Sequence, residues 1–181
     1  DSCITVVQQI IQKFDKVDIL VNNAGITKDG IFKKMSKTDW DSVIRTNLDS
    51  LFNMTKPVID SMLEHKFGRI ISISSINGQK GQFGQVNYSA AKAGMHGFTM
   101  SLAQEVAKKG ITVNTISPGY IATDMVLSID ESIRQKIIDQ IPVGRLGKPE
   151  EIAQLVSYLA SEHAGFITGA DYAINGGQHM M

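Results

Sequence analysis

Short apolar segments alternate with helical patterns along this chain, an order that few folds can accommodate. Residues 17–21, 69–73 and 111–116 read as buried strands, and a fourth strand is predicted at 170–174. The stretches between them carry apolar residues at the spacing of helices that pack on a core. This alternation predicts βαβ units, and hence a parallel sheet covered by helices on both faces.

Composition excludes several other classes of protein. The chain has 181 residues, 43% of them hydrophobic and 20% charged, which excludes intrinsic disorder. Eighteen basic residues balance eighteen acidic ones, so no net field favours nucleic acid or a membrane surface. A single cysteine, Cys3, excludes an internal disulfide framework, and no apolar run reaches the ~18 residues of a membrane span. We expect one cytoplasmic domain over residues 1–181.

Helix boundaries follow from a few residues. Asp1 is a suitable N-cap for the first helical pattern, and Thr38 is predicted to cap the second, with Asp41 three residues later. Pro57 should bend or divide the long helix that follows. Residues 122–148 lack a regular pattern and are expected to form an irregular helical excursion, which we interpret as a substrate lid.

Polar clusters follow the carboxyl ends of three predicted strands. They are residues 22–25, the pair Ser74 and Ser75, and residues 117–120. Any one of them could be an ordinary turn, because Asn, Ser, Gly and Pro form turns in many settings. Three clusters at one edge of an open α/β sheet indicate a ligand site, since ligands bind at that edge.

Tyr88 and Lys92 form a candidate reactive pair. Four residues apart on a predicted helix, they share one face. A tyrosine pKa near 10 is too high for easy proton exchange at pH 7, and a fixed ammonium should lower it by ~2–3 units. Tyr88 would then serve as a general acid in one direction and a base in the other. Such a pair also arises by chance, but Ser75 adds a hydroxyl that could polarise a substrate oxygen.

Together these motifs resemble the short-chain dehydrogenase/reductase family. The resemblance rests on the segment Asn22-Asn23-Ala24-Gly25, on Asn47 and Ser75, on Tyr88-x-x-x-Lys92 and on Pro118-Gly119, and it extends to Asn175-Gly176-Gly177. Within the family, the chain most resembles bacterial acetoacetyl-CoA reductases, and 3-oxoacyl-[acyl-carrier-protein] reductases are similar too. The resemblance implies a Rossmann-type, doubly wound α/β fold.

The resemblance also implies a role for each matched residue. Tyr88 would protonate the substrate carbonyl, Ser75 would hold its oxygen, and Lys92 would lower the Tyr88 pKa and bind the nicotinamide ribose. Asn47 would position a water that links Lys92 to solvent. It lies within a helix, where asparagine is a mediocre former, so a local break is plausible; a solvent-facing asparagine is the alternative. The remaining cofactor contacts would be Asn22, Ala24 and Gly25 on the adenosine and ribose side, and Pro118, Gly119, Ile121 and Thr123 around the nicotinamide.

Substrate and partners are further expectations. Gln82, Phe83, Gln85 and Tyr120 are candidates for a pocket that takes a short 3-oxoacyl thioester of coenzyme A or acyl carrier protein; ordinary loop residues are the alternative. NADPH is expected as cofactor, with NADH less favoured, and a homotetramer is expected through the broad apolar faces of the helical patterns at 38–65 and 88–109. His96 is interpreted as a packing or interface residue. No metal-ligand spacing is present, and neither nucleic acid nor a membrane is an expected partner.

One family motif does not occur in the sequence. The glycine-rich pyrophosphate turn is absent, so we expect the chain to lack an N-terminal βαβαβ portion of roughly 60 residues. The residue that distinguishes NADP from NAD would lie in that portion. Three functions therefore remain open: a 3-oxoacyl thioester reductase, another short-chain dehydrogenase, and a non-catalytic binding or assembly unit.

Overall fold

A four-stranded parallel sheet organises the computed structural model, which describes residues 2–180. The strands are β1 (Ile19–Asn22), β2 (Gly68–Ile73), β3 (Ile111–Pro118) and β4 (Asp171–Ile174). They lie side by side in chain order, and each is parallel to its neighbour. This confirms the predicted Rossmann-type parallel α/β fold.

Helices connect the strands and cover the sheet. The longer ones are α1 (Ser2–Phe14), α2 (Lys37–Ile44), α3 (Ser50–His65), α5 (Val86–Val106), α7 (Glu131–Ile138) and α8 (Pro149–Ala160); α4 (Ile76–Lys80) and α6 (Asp124–Leu127) are short. Single 3-10 turns occur at Phe32–Lys34, Ala107–Lys109 and Glu162–Ala164. Asp1, predicted as the cap of α1, lies outside the described residues.

Apolar cores lie on both faces of the sheet. On one face, Val7 of α1, Val58 and Met62 of α3 and Ala103 of α5 pack against Ile70. On the other face, Leu159 of α8 packs against Ile71 and Ile116. Every residue of β3 is buried, as expected for a parallel strand covered on both sides. Strand β1 alternates instead, with Ile19 and Val21 exposed, because it lies at an edge of the sheet formed by the described residues.

Two predicted boundaries were wrong. Ser36, not Thr38, caps α2, because its Oγ accepts a hydrogen bond from the amide of Asp39 at 3.0 Å. Pro57 does not divide its helix, which runs unbroken from Ser50 to His65, and the interruption lies earlier, in a π turn at Arg45–Asp49. There the Asn47 side chain donates to the Val43 carbonyl at 2.9 Å, which an α-helix would pair with the backbone amide of Asn47.

Candidate active site

The carboxyl ends of β1, β2 and β3 meet at a cleft of about 550 Å³. The strand register places Asn22 beside Ser72 and Ile73 beside Ile116, so the polar segments that follow these strands emerge at one edge. Six of the predicted site residues line this cleft: Ser75, Tyr88, Pro118, Gly119, Ile121 and Thr123. The cleft therefore brings together Ser75 and Tyr88, two of the four residues predicted for catalysis, and the residues predicted for the nicotinamide side of the cofactor.

The side chains of Ser75 and Tyr88 both line the cleft and lie close enough for the Ser75 hydroxyl to lower the pKa of Tyr88. Ser75 follows β2 and caps α4, since its Oγ also accepts from the amide of Asn77 at 3.1 Å. Tyr88 lies in the first turn of α5, directly across from that cap. Two hydroxyl groups thus converge on one point of the cleft, where together they could hold a substrate oxygen.

Lys92 lies one turn further along α5 and is buried, with 3% of its surface exposed. Its Nζ donates to the carbonyl of Ile73 at 2.7 Å and lies 5.4 Å from the centre of the Tyr88 ring. Burial lowers the pKa of Lys92 to about 8, because a low-dielectric setting disfavours the ammonium. Lys92 therefore exchanges protons close to neutral pH.

The predicted lowering of the Tyr88 pKa was wrong. Burial, the largest cause, raises the pKa of Tyr88; the hydrogen bond from Ser75 lowers it, and the carboxylate of Asp29 raises it further. Lys92 does not offset the burial, because its ammonium faces the tyrosine ring and the Ile73 carbonyl. Tyr88 is consequently held in its protonated, proton-donating form.

Asn47 ties the π turn to the loop after β1. Its Oδ1 accepts from the amide of Ile26 at 3.1 Å, and its Nδ2 donates to the carbonyl of Ile26 at 2.9 Å. The side chain is fully buried, so the alternative of a solvent-facing asparagine is wrong. Gly25 lies against it: a Cβ on Gly25 would come within 2.5 Å of Asn47 Oδ1 and 3.5 Å of Lys92 Nζ. Asn47, Gly25 and Lys92 are therefore neighbours.

The residues predicted for the adenosine side are less closely gathered. Asn22 is buried and its Nδ2 donates to Ser72 Oγ at 3.4 Å, while Ala24 is exposed in the turn. Neither residue lines the cleft, and nor does Gly25; their cofactor contacts remain predictions.

The predicted substrate residues lie around the cleft and not along its walls. Gln85 joins two segments, since its Oε1 accepts from Asn77 at 2.8 Å and its Nε2 donates to Asp29 at 2.9 Å. Gln82 and Phe83 are exposed in the adjoining turn, with 86% of Phe83 accessible. Tyr120 lines a smaller cavity of about 230 Å³ that shares Ile121 and Ile152 with the cleft.

Sequence reasoning missed one wall of the cleft. Helix α8 contributes Pro149, Ile152, Ala153, Val156 and Ser157, and Asn23 lines the cleft beside Val21. The apolar spacing of α8 indicated only a core helix, because Ile152 and Val156 pack against the sheet as well. Asn23 follows strand β1, which extends one residue further than predicted, and its sequence context indicates only a turn.

Neither a metal-binding cluster nor a membrane-spanning helix occurs in the part of the chain that the structure describes. No group of three or more histidine, cysteine, aspartate or glutamate residues there is arranged to hold a metal ion. Among residues 2–180, no helix combines the length and the apolar character needed to cross a membrane.

Comparisons with known proteins agree with this geometry. The family model described as Enoyl-(Acyl carrier protein) reductase matches residues 1–179. The chain is 62% identical over 180 residues to an acetoacetyl-CoA reductase of Cupriavidus necator, covering 99% of this chain and 73% of that protein. It is 60% identical to nodulation protein G of Azospirillum brasilense and 48% identical to a 3-oxoacyl-[acyl-carrier-protein] reductase of Escherichia coli, in each case over 98% of this chain and 72% of the relative. The chain therefore belongs to the short-chain dehydrogenase/reductase family of oxidoreductases.

Proposed function

We propose that this protein reduces a 3-oxoacyl thioester, acetoacetyl-CoA above all, to the 3-hydroxyacyl thioester with NADPH. The observation that carries the proposal is that the hydroxyls of Ser75 and Tyr88 line one cleft, with the buried ammonium of Lys92 5.4 Å from the centre of the Tyr88 ring. Relatives named acetoacetyl-CoA reductase, which match nearly the whole chain, support this choice of substrate.

Each residue of the pair has a defined task. Tyr88 donates its proton to the carbonyl oxygen of the substrate, and its raised pKa keeps that proton in place until the oxygen becomes basic. Ser75 donates a hydrogen bond to the same oxygen and so stabilises the negative charge that develops there. Both tasks suit the direction of reduction, in which a proton must be supplied.

Lys92 and Asn47 serve the supply of protons. With a pKa of about 8, Lys92 holds a proton that it can pass toward Tyr88 and regain from solvent. We assign to Asn47 the positioning of a water molecule next to Lys92. Both hydrogens of its Nδ2 are already donated to Ile26 and Val43, so Asn47 would offer an acceptor oxygen to that water.

The family uses a nicotinamide cofactor, NAD(P), and the cleft suits one. Pro118, Ile121 and Val156 give it apolar walls for a flat ring, and the hydroxyls of Ser75 and Tyr88 supply polar groups beside them. When bound, the cofactor supplies the hydride. We assign Pro118, Gly119, Ile121 and Thr123 to the nicotinamide end, Asn22, Ala24 and Gly25 to the adenosine and ribose side, and the ribose contact to Lys92. The choice of NADPH over NADH rests on the resemblance to reductases of this kind.

The acyl group is assigned to the mouth of the cleft. Burial raises the pKa of both Tyr88 and Tyr120, and the carboxylate of Asp29 raises both further, so both phenols are within electrostatic range of one carboxylate. Gln82, Phe83, Gln85 and Tyr120 would then surround a short acyl chain. The segment 122–148 leaves and returns at a bridge between Ile121 and Gly147, as a lid hinged beside the cleft would.

A homotetramer is proposed from the surface of α3 and α5. A groove of about 520 Å³ runs between these helices, with Phe52 and Phe98 on its apolar walls, and 63% of Phe52 is accessible. Exposed apolar area of this kind is typical of a protein–protein contact. Cys3 forms no disulfide, in keeping with the reducing cytoplasm that we propose as the location.

The experiment is an assay of NADPH oxidation by the full-length protein. Acetoacetyl-CoA, acetoacetyl-acyl carrier protein and unrelated ketones are compared as substrates, and NADH is compared as cofactor. We expect turnover of acetoacetyl-CoA with NADPH and a loss of at least about 100-fold in Tyr88→Phe. Turnover of an unrelated ketone alone would indicate another dehydrogenase, and no turnover of any substrate would favour a binding unit.

A further inference from the structure

A partly buried polar network lies directly behind Ser75 and Lys92. His96, one turn after Lys92 on α5, places its Nε2 3.0 Å from Ser74 Oγ, 3.4 Å from Ser117 Oγ and 3.5 Å from Asp171 Oδ2. Asp171, the first residue of β4, also accepts from Ser117 Oγ at 2.7 Å and from Gln79 Nε2 at 2.6 Å. The network thus connects α4, α5 and the ends of β2, β3 and β4.

The direction of each hydrogen bond in this network follows from the number of protons available. Ser74 donates its one hydroxyl proton to the Lys92 carbonyl at 2.9 Å, so it can only accept from His96. Ser117 likewise donates its proton to Asp171. His96 Nε2 is therefore surrounded by acceptors and must carry a hydrogen.

Two residues at the end of β2 form hydrogen bonds with Lys92, one with its backbone and one with its side chain. Ser74 binds the Lys92 carbonyl, while the preceding residue of the same strand, Ile73, binds the Lys92 ammonium. Ser75, which lines the cleft together with Tyr88, comes next along the chain. Three consecutive residues at the end of β2 therefore set the position of Tyr88 and Lys92 on α5. The orientation of the middle one, Ser74, depends on His96.

We propose that His96 is a positioning residue for the reaction. Through its Nε2–H it orients Ser74, and Ser74 in turn fixes the turn of α5 that carries Lys92 against the strand end that carries Ser75. His96 and Asp171 also line a separate cavity of about 290 Å³ on the far side of this network, so His96 acts through Ser74 and does not touch the substrate. This replaces its interpretation as a packing residue, and it rests on the proposed function.

The first test compares kcat and KM for acetoacetyl-CoA in variants of the full-length protein. His96→Leu keeps the bulk and removes the donor, and we expect kcat to fall about 10-fold or more with KM within about twofold, because small misplacement of reacting groups slows chemistry. His96→Gln, which retains a donor at a similar place, should recover kcat to within about threefold of the wild type. Ser74→Ala should match His96→Leu, and the double variant should be no slower than the slower single one.

Thr99→Val is the matched control. It removes a hydrogen bond of 2.7 Å between Thr99 and Thr115 that also joins α5 to β3, one turn beyond the network. We expect a lower melting temperature with kcat preserved. A His96→Leu variant whose kcat is preserved, or whose loss multiplies with that of Ser74→Ala, would overturn the proposal.

A second measurement does not depend on turnover. Nitrogen-15 NMR of His96 should show the tautomer with hydrogen on Nε2, protected from exchange in the wild type and exposed to exchange in Ser74→Ala. Hydrogen on Nδ1 alone would contradict the inferred network. If the wild-type protein reduces no thioester while this tautomer is found, the proposed function fails and the network stands as a structural feature without the positioning role.

Discussion

At the scale of residues, burial moves the pKa values of Tyr88 and Lys92 in opposite directions. It raises the first and lowers the second to about 8, because each neutral form is favoured away from water. The unfolded chain binds the Lys92 proton more tightly than the folded one. Lys92 therefore costs folding stability below about pH 8, and this cost disappears as pH rises toward the ordinary value of 10.5.

The pH dependence of reduction should follow Lys92. Since Tyr88 stays protonated through this range, we expect kcat/KM to be constant at lower pH and to decline as pH rises through about 8, where Lys92 loses its proton. The Lys92→Gln variant should be much slower and show no such decline. Initial rates between pH 6 and 9.5 provide the measurement; an unchanged decline in Lys92→Gln would assign it to another group.

Replacing Ser75 separates catalysis from helix capping. Ser75→Ala should lower kcat about 100-fold by removing a hydrogen-bond donor to the substrate oxygen, and it should cost about 1 kcal/mol of unfolding free energy by removing the α4 cap. Ser36→Ala is the control, because it removes the equivalent cap of α2 outside the cleft. Equal losses of kcat in both variants would contradict the role of Ser75.

At the scale of elements, the π turn at Arg45–Asp49 and the loop after β1 form one unit. The Asn47 amide pairs with both backbone groups of Ile26, and no room is left beside it for a side chain on Gly25. The π turn places the Asn47 side chain in the interior of the protein, close to Gly25 and Lys92. The position of Asn47 therefore depends on both the π turn and the loop after β1.

A methyl group at position 25 should disturb this unit. In Gly25→Ala the new Cβ would lie 2.5 Å from Asn47 Oδ1, which is held by Ile26 and cannot easily yield. We expect a loss of about 1–3 kcal/mol in unfolding free energy, together with a lower kcat. Gly30→Ala, with no heavy atom within 4 Å of its Cβ, should change stability by less than about 0.5 kcal/mol. Chemical denaturation and steady-state rates measure both; equal behaviour of the two variants would contradict the account.

The sequence reveals these elements unevenly, for physical reasons. The sequence reveals Tyr88 and Lys92 by their helical spacing, and it reveals Ser75 by its place after an apolar strand. Both signals can be read from neighbouring residues. The direction of the shift in the Tyr88 pKa could not be predicted, since it depends on burial and on where the Lys92 ammonium points. The break at Asn47 was anticipated from its weak helix propensity, but its bond to Ile26, 21 residues away, is a tertiary contact.

At the scale of the whole molecule, the chain carries the sheet edge with the candidate catalytic residues and a broad apolar surface on α3 and α5. It spans about 73% of the length of the acetoacetyl-CoA reductase of Cupriavidus necator. One wall of this groove is formed by α5, the helix that also carries Tyr88 and Lys92. Subunit association would therefore support the helix on which the chemistry depends.

A charged residue in this groove should separate the subunits. Phe52→Lys places an ammonium at the proposed contact, so sedimentation should show smaller species than the tetramer expected for the wild type. Phe14→Lys is the control, because Phe14 has the same 63% exposure but lies at the end of α1. A wild-type monomer, or identical sedimentation of Phe52→Lys and the wild type, would contradict the proposed tetramer.

In the proposed reaction, a hydride goes to the carbonyl carbon of a 3-oxoacyl thioester while Tyr88 protonates the carbonyl oxygen and Ser75 holds it. Its most direct test follows deuterium from NADPH labelled at the transferable position, with acetoacetyl-CoA as substrate and crotonyl-CoA as the competing enoyl substrate. We expect the label at C3 of 3-hydroxybutyryl-CoA, at a rate at least about 100-fold lower in Tyr88→Phe. Label transferred to crotonyl-CoA alone, or to acetoacetyl-CoA at an equal rate in Tyr88→Phe, would contradict the claim.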